Sequence, residues 1–151
     1  MQLEQPANAL VLASLKRRGA GKPEMARHDG SPRAYLHSGC HPDMVERLWD
    51  GIGKALPADC RYLLYGTPCL AHPGGLILAV GIGTQYGLRI PVASLPAAKD
   101  LGAKTLTTWA GGKQMDIQAD YGGDWIFGAW LAQELAWCQA VYAAANTREK
   151  Q

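Results

Sequence analysis

Three of the four histidines stand close to cysteines: His37, Cys40 and His41 in the run HSGCH, and Cys69 and His72 in CLAH. Imidazole nitrogen and thiolate sulfur are the donors zinc prefers, and each spacing could hold a metal from a tight turn. Both runs flank the passage from a helix into a sheet, so the fold could bring them together. The two motifs differ, however, where structural zinc sites usually repeat one ligand pair. The competing expectation is two unrelated loops with exposed histidines and buried cysteines. Cys40 also precedes a helix, a position that favours a thiolate. His41 is its chain neighbour and so poorly placed as its base, and only the fold could bring His72 within reach.

Other chemical signatures fail on inspection. Gly81-x-Gly83 follows an apolar strand, but a dinucleotide fingerprint needs glycine where Tyr86 stands. Gly111-Gly112-Lys113 lacks a glycine at Thr107 and a hydroxyl at Gln114, so it is no phosphate loop. Asp116, Asp120 and Asp124 are four apart and could gather magnesium on a helix. On a strand followed by a turn, they read instead as a solvated face and a helix cap. There is no Gly-x-Ser-x-Gly elbow. With no catalytic constellation, the chain reads as a non-enzymatic module.

Trp125, Trp130 and Trp137, with Val141, fall in the last helical region and widen its apolar surface beyond one sheet contact. Core packing is the ordinary use of such residues. The sharper expectation is a pocket for a small apolar ligand, or a face for a protein partner or a homodimer. A third possibility is nucleic-acid association through Lys16, Arg17, Arg18, Lys22 and Arg89. Residues 1–33 hold six basic and three acidic residues, a balance of +3, and the remaining nine basic and ten acidic give −1. The net charge of +2 gives no general reason to expect a polyanion.

The elements that must position these residues follow from pattern and punctuation. Ala9 to Arg18 predicts a short helix, broken by Gly19, Gly21 and Pro23. Residues 19–33 read as a flexible loop. Pro42 to Leu56 predicts a helix, with Pro42 in its first turn and Asp43 and Glu46 near its positive end. Met44, Val45, Leu48, Trp49, Ile52, Ala55 and Leu56 share one face of it. Strands are expected at Arg61–Tyr65, Cys69–His72, Leu76–Val80 and Tyr86–Ile90, with short turns that imply antiparallel neighbours. Further strands are expected at Lys104–Trp109 and Gln114–Tyr121, with Asp124 capping a helix from about Ala129 to Ala145. In that helix Leu131, Leu135, Cys138 and Tyr142 form one stripe, beside Trp130, Glu134, Trp137 and Val141. The fold class is α+β: an antiparallel sheet of about five strands packed by two main helices. The division is a short helix and flexible segment over 1–33, then a single domain over 34–151.

At 151 residues and 48% hydrophobic composition, the chain can bury a sizeable core. Its basic cluster follows the first apolar run, the reverse of a secretory signal, and no run approaches a membrane span. The four cysteines therefore read as reduced, buried side chains of a cytoplasmic protein.

The order Tyr65-Gly66-Thr67-Pro68, Gly74-Gly75-Leu76-Ile77-Leu78-Ala79 and Leu88-Arg89-Ile90-Pro91 is similar to the TfoX N-terminal and YjbR-like families. The resemblance covers about Asp59 to Ala145. It implies a small α+β domain with a curved antiparallel sheet, in families associated with competence regulation and, for the YjbR type, with DNA binding. It brings no catalytic residues. Leu64-Tyr65 departs from the usual Met-Phe pair, and the first forty residues have no counterpart.

Overall fold

The structure is a computed structural model that describes residues 2–28, 32–36, 40–103, 107–110, 113–116, 124–128 and 134–149. The side chains of 34, 58, 107–110, 113–116 and 147–149 fall outside that description. The chain is α+β, built on an antiparallel sheet of six strands in the order β1-β2-β3-β4-β5-β8. These are β1 (Met25–Arg27), β2 (Arg61–Leu64), β3 (Thr67–Ala71), β4 (Ile77–Ile82), β5 (Gln85–Arg89) and β8 (Trp125–Gly128). A separate antiparallel pair joins β6 (Thr107–Ala110) to β7 (Lys113–Asp116).

The strands from β2 to β5 form where the apolar runs and turns expect them. Tyr65 and Gly66 make the two-residue turn between β2 and β3, with φ of +49° and +78°. Two successive positive φ values match the right-handed twist of a hairpin. Such a φ costs a tyrosine more than a glycine, because its Cβ crowds the backbone. Position 75 must be glycine for two reasons. Its φ is +106°, and a Cβ there would overlap the backbone of Gln2.

Two strands lie where the sequence reading has none. β1 falls inside the expected loop over 19–33 and pairs with β2, Arg27 opposite Tyr62 and Met25 opposite Leu64. A three-residue strand held on one side carries too little apolar pattern to stand out. β8 follows Asp124 directly and pairs with β5, Trp125 opposite Arg89. Asp124 therefore leads into a strand rather than capping a helix.

The sheet is sandwiched. On one face lie α1 (Ala9–Arg18) and the segment before it. Leu3, Val11 and Leu15 there pack with Leu64, Cys69, Ile77, Val80, Trp125 and Phe127. On the other face lie α3, which begins at Pro42–Glu46, and α5 (Glu134–Glu149). Met44, Val45, Leu48, Trp49, Ile52 and Leu56 are buried there, as the helical spacing requires. That helical stretch is not uniform: after Pro42–Glu46 it widens into a π turn over Arg47–Gly51, then tightens to 3₁₀ over Ile52–Ala55. Short helices α2 (Pro32–Leu36) and α4 (Leu95–Asp100) complete the set. Among the described residues, no helix is long and apolar enough to cross a membrane.

α5 begins at Glu134 among the described residues, and the expected start near Ala129, with Leu131, lies outside them. Its buried stripe is Glu134, Trp137, Cys138, Val141 and Ala145. These recur at three- and four-residue steps, as one face of a helix should. Leu135, expected in the stripe, is 44% exposed.

Candidate functional site

The small residues of α5 create the site. Ala140 and Ala144 flank buried Val141 on the side turned to the end of β5. Because they stop at Cβ, the helix does not close on the chain opposite. A cleft of about 140 Å³ remains, with Leu76, Ile90, Pro91 and Val92 as the facing wall. Val92 is 66% exposed and forms the rim. The strand ends where Pro91 cannot donate to a ladder, and the chain turns away into the short helical turn Val92–Ser94.

The polar end of the cleft is Arg89 with Asp124. Arg89 is 5% exposed, and its guanidinium is fixed by partners from three parts of the chain. Nε donates to Ile77 O at 2.8 Å, Nη1 to Asp124 Oδ2 at 2.8 Å, and Nη2 to Ala7 O at 3.0 Å. The guanidinium carbon also lies 5.0 Å from the ring centre of Trp125, within cation–π range. Asp124 is held by its backbone as well, its carbonyl accepting from Ile90 N at 2.8 Å. Its carboxylate is 29% exposed, and so is the group a ligand donor can reach.

Two further polar clusters brace this face of the sheet. Glu134, 4% exposed, meets Arg47 in an ion pair and accepts from the hydroxyl of buried Tyr86. The π turn begins at Arg47, so the irregular helix and the first turn of α5 are joined through it. At the β1 side, His28 stacks on Trp49 with ring centroids 4.2 Å apart, and Tyr35 meets both rings edge-on at 5.3 Å. The Tyr35 hydroxyl donates to Asp50 Oδ2 at 2.9 Å and lies 3.4 Å from His28 Nε2. Arg61 Nη1 is 3.4 Å from the other oxygen of Asp50. Burial, then the hydrogen bond to Asp50, push the Tyr35 hydroxyl up to about 12.

The sequence candidates separate in space. Trp125 is fully buried on the α1 face and Trp137 on the α3/α5 face, so the two do not share a surface. Trp130 lies outside the described residues. Among the described residues of that set, Val141 lines the cleft. Arg89, read as a nucleic-acid contact, is instead the buried end of the cleft. Lys16, Arg17, Arg18 and Lys22 are exposed around the end of α1.

The histidine–cysteine runs also part. Cys40 contacts Gly83, its thiol 3.5 Å from that carbonyl. His41 caps α3, its Nδ1 accepting from Asp43 N at 3.2 Å. Cys69 sits in the α1-face core, with its thiol directed at Thr67 O. His72 is 1% exposed, with Nδ1 accepting from Gly74 N at 2.8 Å and Nε2 2.6 Å from Asn146 Oδ1 on α5. That arrangement makes Nε2 the protonated nitrogen. His37 lies outside the described residues, and among those described no three metal-ligating side chains converge. All four cysteines are free and buried, and burial raises every thiol, to about 11 at Cys40 and Cys60 and about 12 at Cys138.

Sequence reasoning missed Ala140, Ala144 and Asp124 as a binding group. Small residues one position before the buried Val141 and Ala145 carry no signal until the facing wall is known. No protein-family model, curated protein or solved structure matches this chain.

Proposed function

We propose that the chain is a binding module for a small, mostly apolar ligand that carries one hydrogen-bond donor. The observation that supports this is the cleft between Ala140, Val141 and Ala144 and the Ile90–Val92 wall, with the Asp124 carboxylate at its end. An apolar cavity of roughly 150 Å³ accommodates a benzene-sized molecule. The occupant is therefore a compact ring or branched chain of about eight heavy atoms. At roughly 0.6 kcal/mol per atom, between the usual bounds for small ligands, this gives a dissociation constant near the millimolar range, about 0.3 mM.

The apolar body lies along α5, and a hydroxyl or amine donates to Asp124. The described lining side chains include no thiol, hydroxyl or imidazole, and the reading gives the site binding alone. Arg89 holds the Asp124 carboxylate in place, and its own bonds to Ile77 and Ala7 prevent it from following the ligand.

Phenol, benzyl alcohol and cyclohexanol titrated against ¹⁵N-labelled protein test the reading. Saturable shifts at Ala140, Val141, Ala144 and Val92 are expected, weaker for toluene, which lacks the donor. Ala144→Leu fills the cleft from an exposed helix position and should abolish the shifts while the melting temperature holds. Shifts that survive Ala144→Leu, or that fall elsewhere, overturn the proposal.

A further inference from the structure

The opposite face of the sheet carries a second surface, independent of the cleft. α1 covers the middle of that face and ends at the turn between β2 and β3. Gly19 packs so tightly on Tyr65 that a Cβ there would overlap the Tyr65 carbonyl. Beyond this point no helix among the described residues covers this side of β1 and the start of β2. Antiparallel partners share a face, so Arg27 stands beside Tyr62, and Met25 beside Leu64. Tyr62 and Tyr65 are half-buried, packed against the α1-face core. Met25 is 45% exposed, and Arg27 and Lys22 are exposed.

Cations occupy the chain segments that adjoin these rings. Lys16, Arg17 and Arg18 occupy the last turn of α1, directly before Gly19. The stem of Lys22 lies against Gly66, next to Tyr65. Arg27 closes the far side. The acidic groups at this face are Glu24, exposed beside β1, and Asp59, which bears on Tyr62 together with Arg27. Among the described residues, five cations thus outnumber two carboxylates near two aromatic rings, one on the sheet and one in its adjoining turn.

We propose that this face binds single-stranded nucleic acid, with bases stacking on Tyr62 and Tyr65 and the phosphates meeting Lys22, Arg27 and the basic end of α1. Aromatic rings on a sheet amid lysine and arginine are how single strands are held without sequence readout. A duplex fits less well, because α1 is packed down through Val11 and Leu15 and leaves no helix standing free for a groove. The strained tyrosine turn supports the reading: residue 65 holds a positive φ that glycine or asparagine would adopt at less cost.

Fluorescence anisotropy with labelled dT20 and U20 provides the test. Neutralising about three phosphates predicts a log–log salt slope near −2, or a loss of about 16-fold between 50 and 200 mM salt. Lys22→Glu with Arg27→Glu changes only exposed side chains, and should weaken binding more than tenfold and flatten the slope. Tyr65→Asn suits the left-handed turn and removes a ring; it should weaken binding about five-fold or more with the slope unchanged. Should Tyr65→Asn fail to fold, Tyr62→Leu takes its place with the same expected result. A salt slope without any loss on removing the rings overturns the proposal and leaves a generic polyanion patch. Tighter binding to a 20-bp duplex, or to vesicles of anionic lipid, also overturns it. Ligand shifts at the α5 cleft are unaffected by either outcome.

Discussion

The two faces of the sheet are finished differently. The α3/α5 face is closed by two helices whose buried positions are almost all apolar, and what it leaves open is a cleft with one carboxylate. The α1 face is closed by one helix and a short amino-terminal segment, and what it leaves open is a rim of tyrosines and cations. Two covering helices leave a gap on the scale of a side chain, which suits a small molecule. One covering helix leaves strand backs uncovered, which suits an extended chain. The difference between the two proposed ligand classes therefore follows from how much of each face the helices cover.

Arg89 is where the faces meet, and removing it is the harshest test of that contrast. It bonds to Ala7 in the α1 layer and to Ile77 in the sheet, and it lines the cleft under α5. Arg89→Leu leaves the buried carbonyl of Ile77 and the part-buried one of Ala7 without this donor, and Asp124 without its cation. Such a loss costs about 3–5 kcal/mol, measured by urea denaturation. Hydrogen exchange should quicken in residues 2–8, and phenol binding at the cleft should disappear. If only one of these two responses occurs, Arg89 serves a single face and the seam does not exist.

Asn8 sharpens the contrast from one side only. Its amide nitrogen donates to Leu3 O at 2.9 Å and Gly75 O at 2.7 Å, and its oxygen accepts from Ile77 N at 3.0 Å. It is fully buried, so Asn8→Ala takes the side-chain partner from Gly75 O and Ile77 N, while Leu3 O keeps its bond from Gln5 N, and costs about 2 kcal/mol. The expected result is faster exchange across residues 2–18 with cleft binding unchanged. Loss of cleft binding would show that the amino-terminal layer supports both faces.

These two residues also mark how far the sequence could be read. Leu48, Trp49 and Ile52 announced their helix face, and Leu76 to Val80 announced a central strand, because a buried element repeats its apolar positions at its own period. Arg89 and Asn8 announced nothing, since their partners at 3, 7, 75, 77 and 124 are brought near only by the fold. Arg89 read as a surface cation because an arginine on a strand usually is one. β1 was hidden by its length and by the glycines and prolines around it. The cleft was hidden for the opposite reason: it is made by what Ala140 and Ala144 lack. Trp125 and Trp137 were legible as core residues, but not the face each would join.

The cysteines give a smaller, chemical test of the α3/α5 face. Cys40, Cys60 and Cys138 are buried there, and burial raises each thiol, to about 11, 11 and 12. The thiol forms thus favour the fold below the unfolded value near 9, and that contribution is lost as pH rises through 11–12. At pH 8 native protein should react with a disulfide reagent at least tenfold more slowly than urea-unfolded protein. A single fast thiol in native protein would place an opening on this face.

The smallest expected effect lies at the junction of β1 with α3. Tyr35 donates to Asp50 and wedges against His28 and Trp49, so its neutral hydroxyl favours the fold. Its folded value, about 12, lies above the ordinary 10. Its contribution is therefore complete below pH 10 and disappears as pH rises from 10 to 12. Tyr35→Phe keeps the ring and removes the proton, and should lower stability by about 1 kcal/mol at pH 8. It should also flatten the alkaline arm of the stability–pH curve above pH 10. A variant whose alkaline arm matches the parent would mean that Tyr35 holds β1 and α2 by ring packing alone. The α3 face would then end in an aromatic edge without a hydrogen-bonded lock.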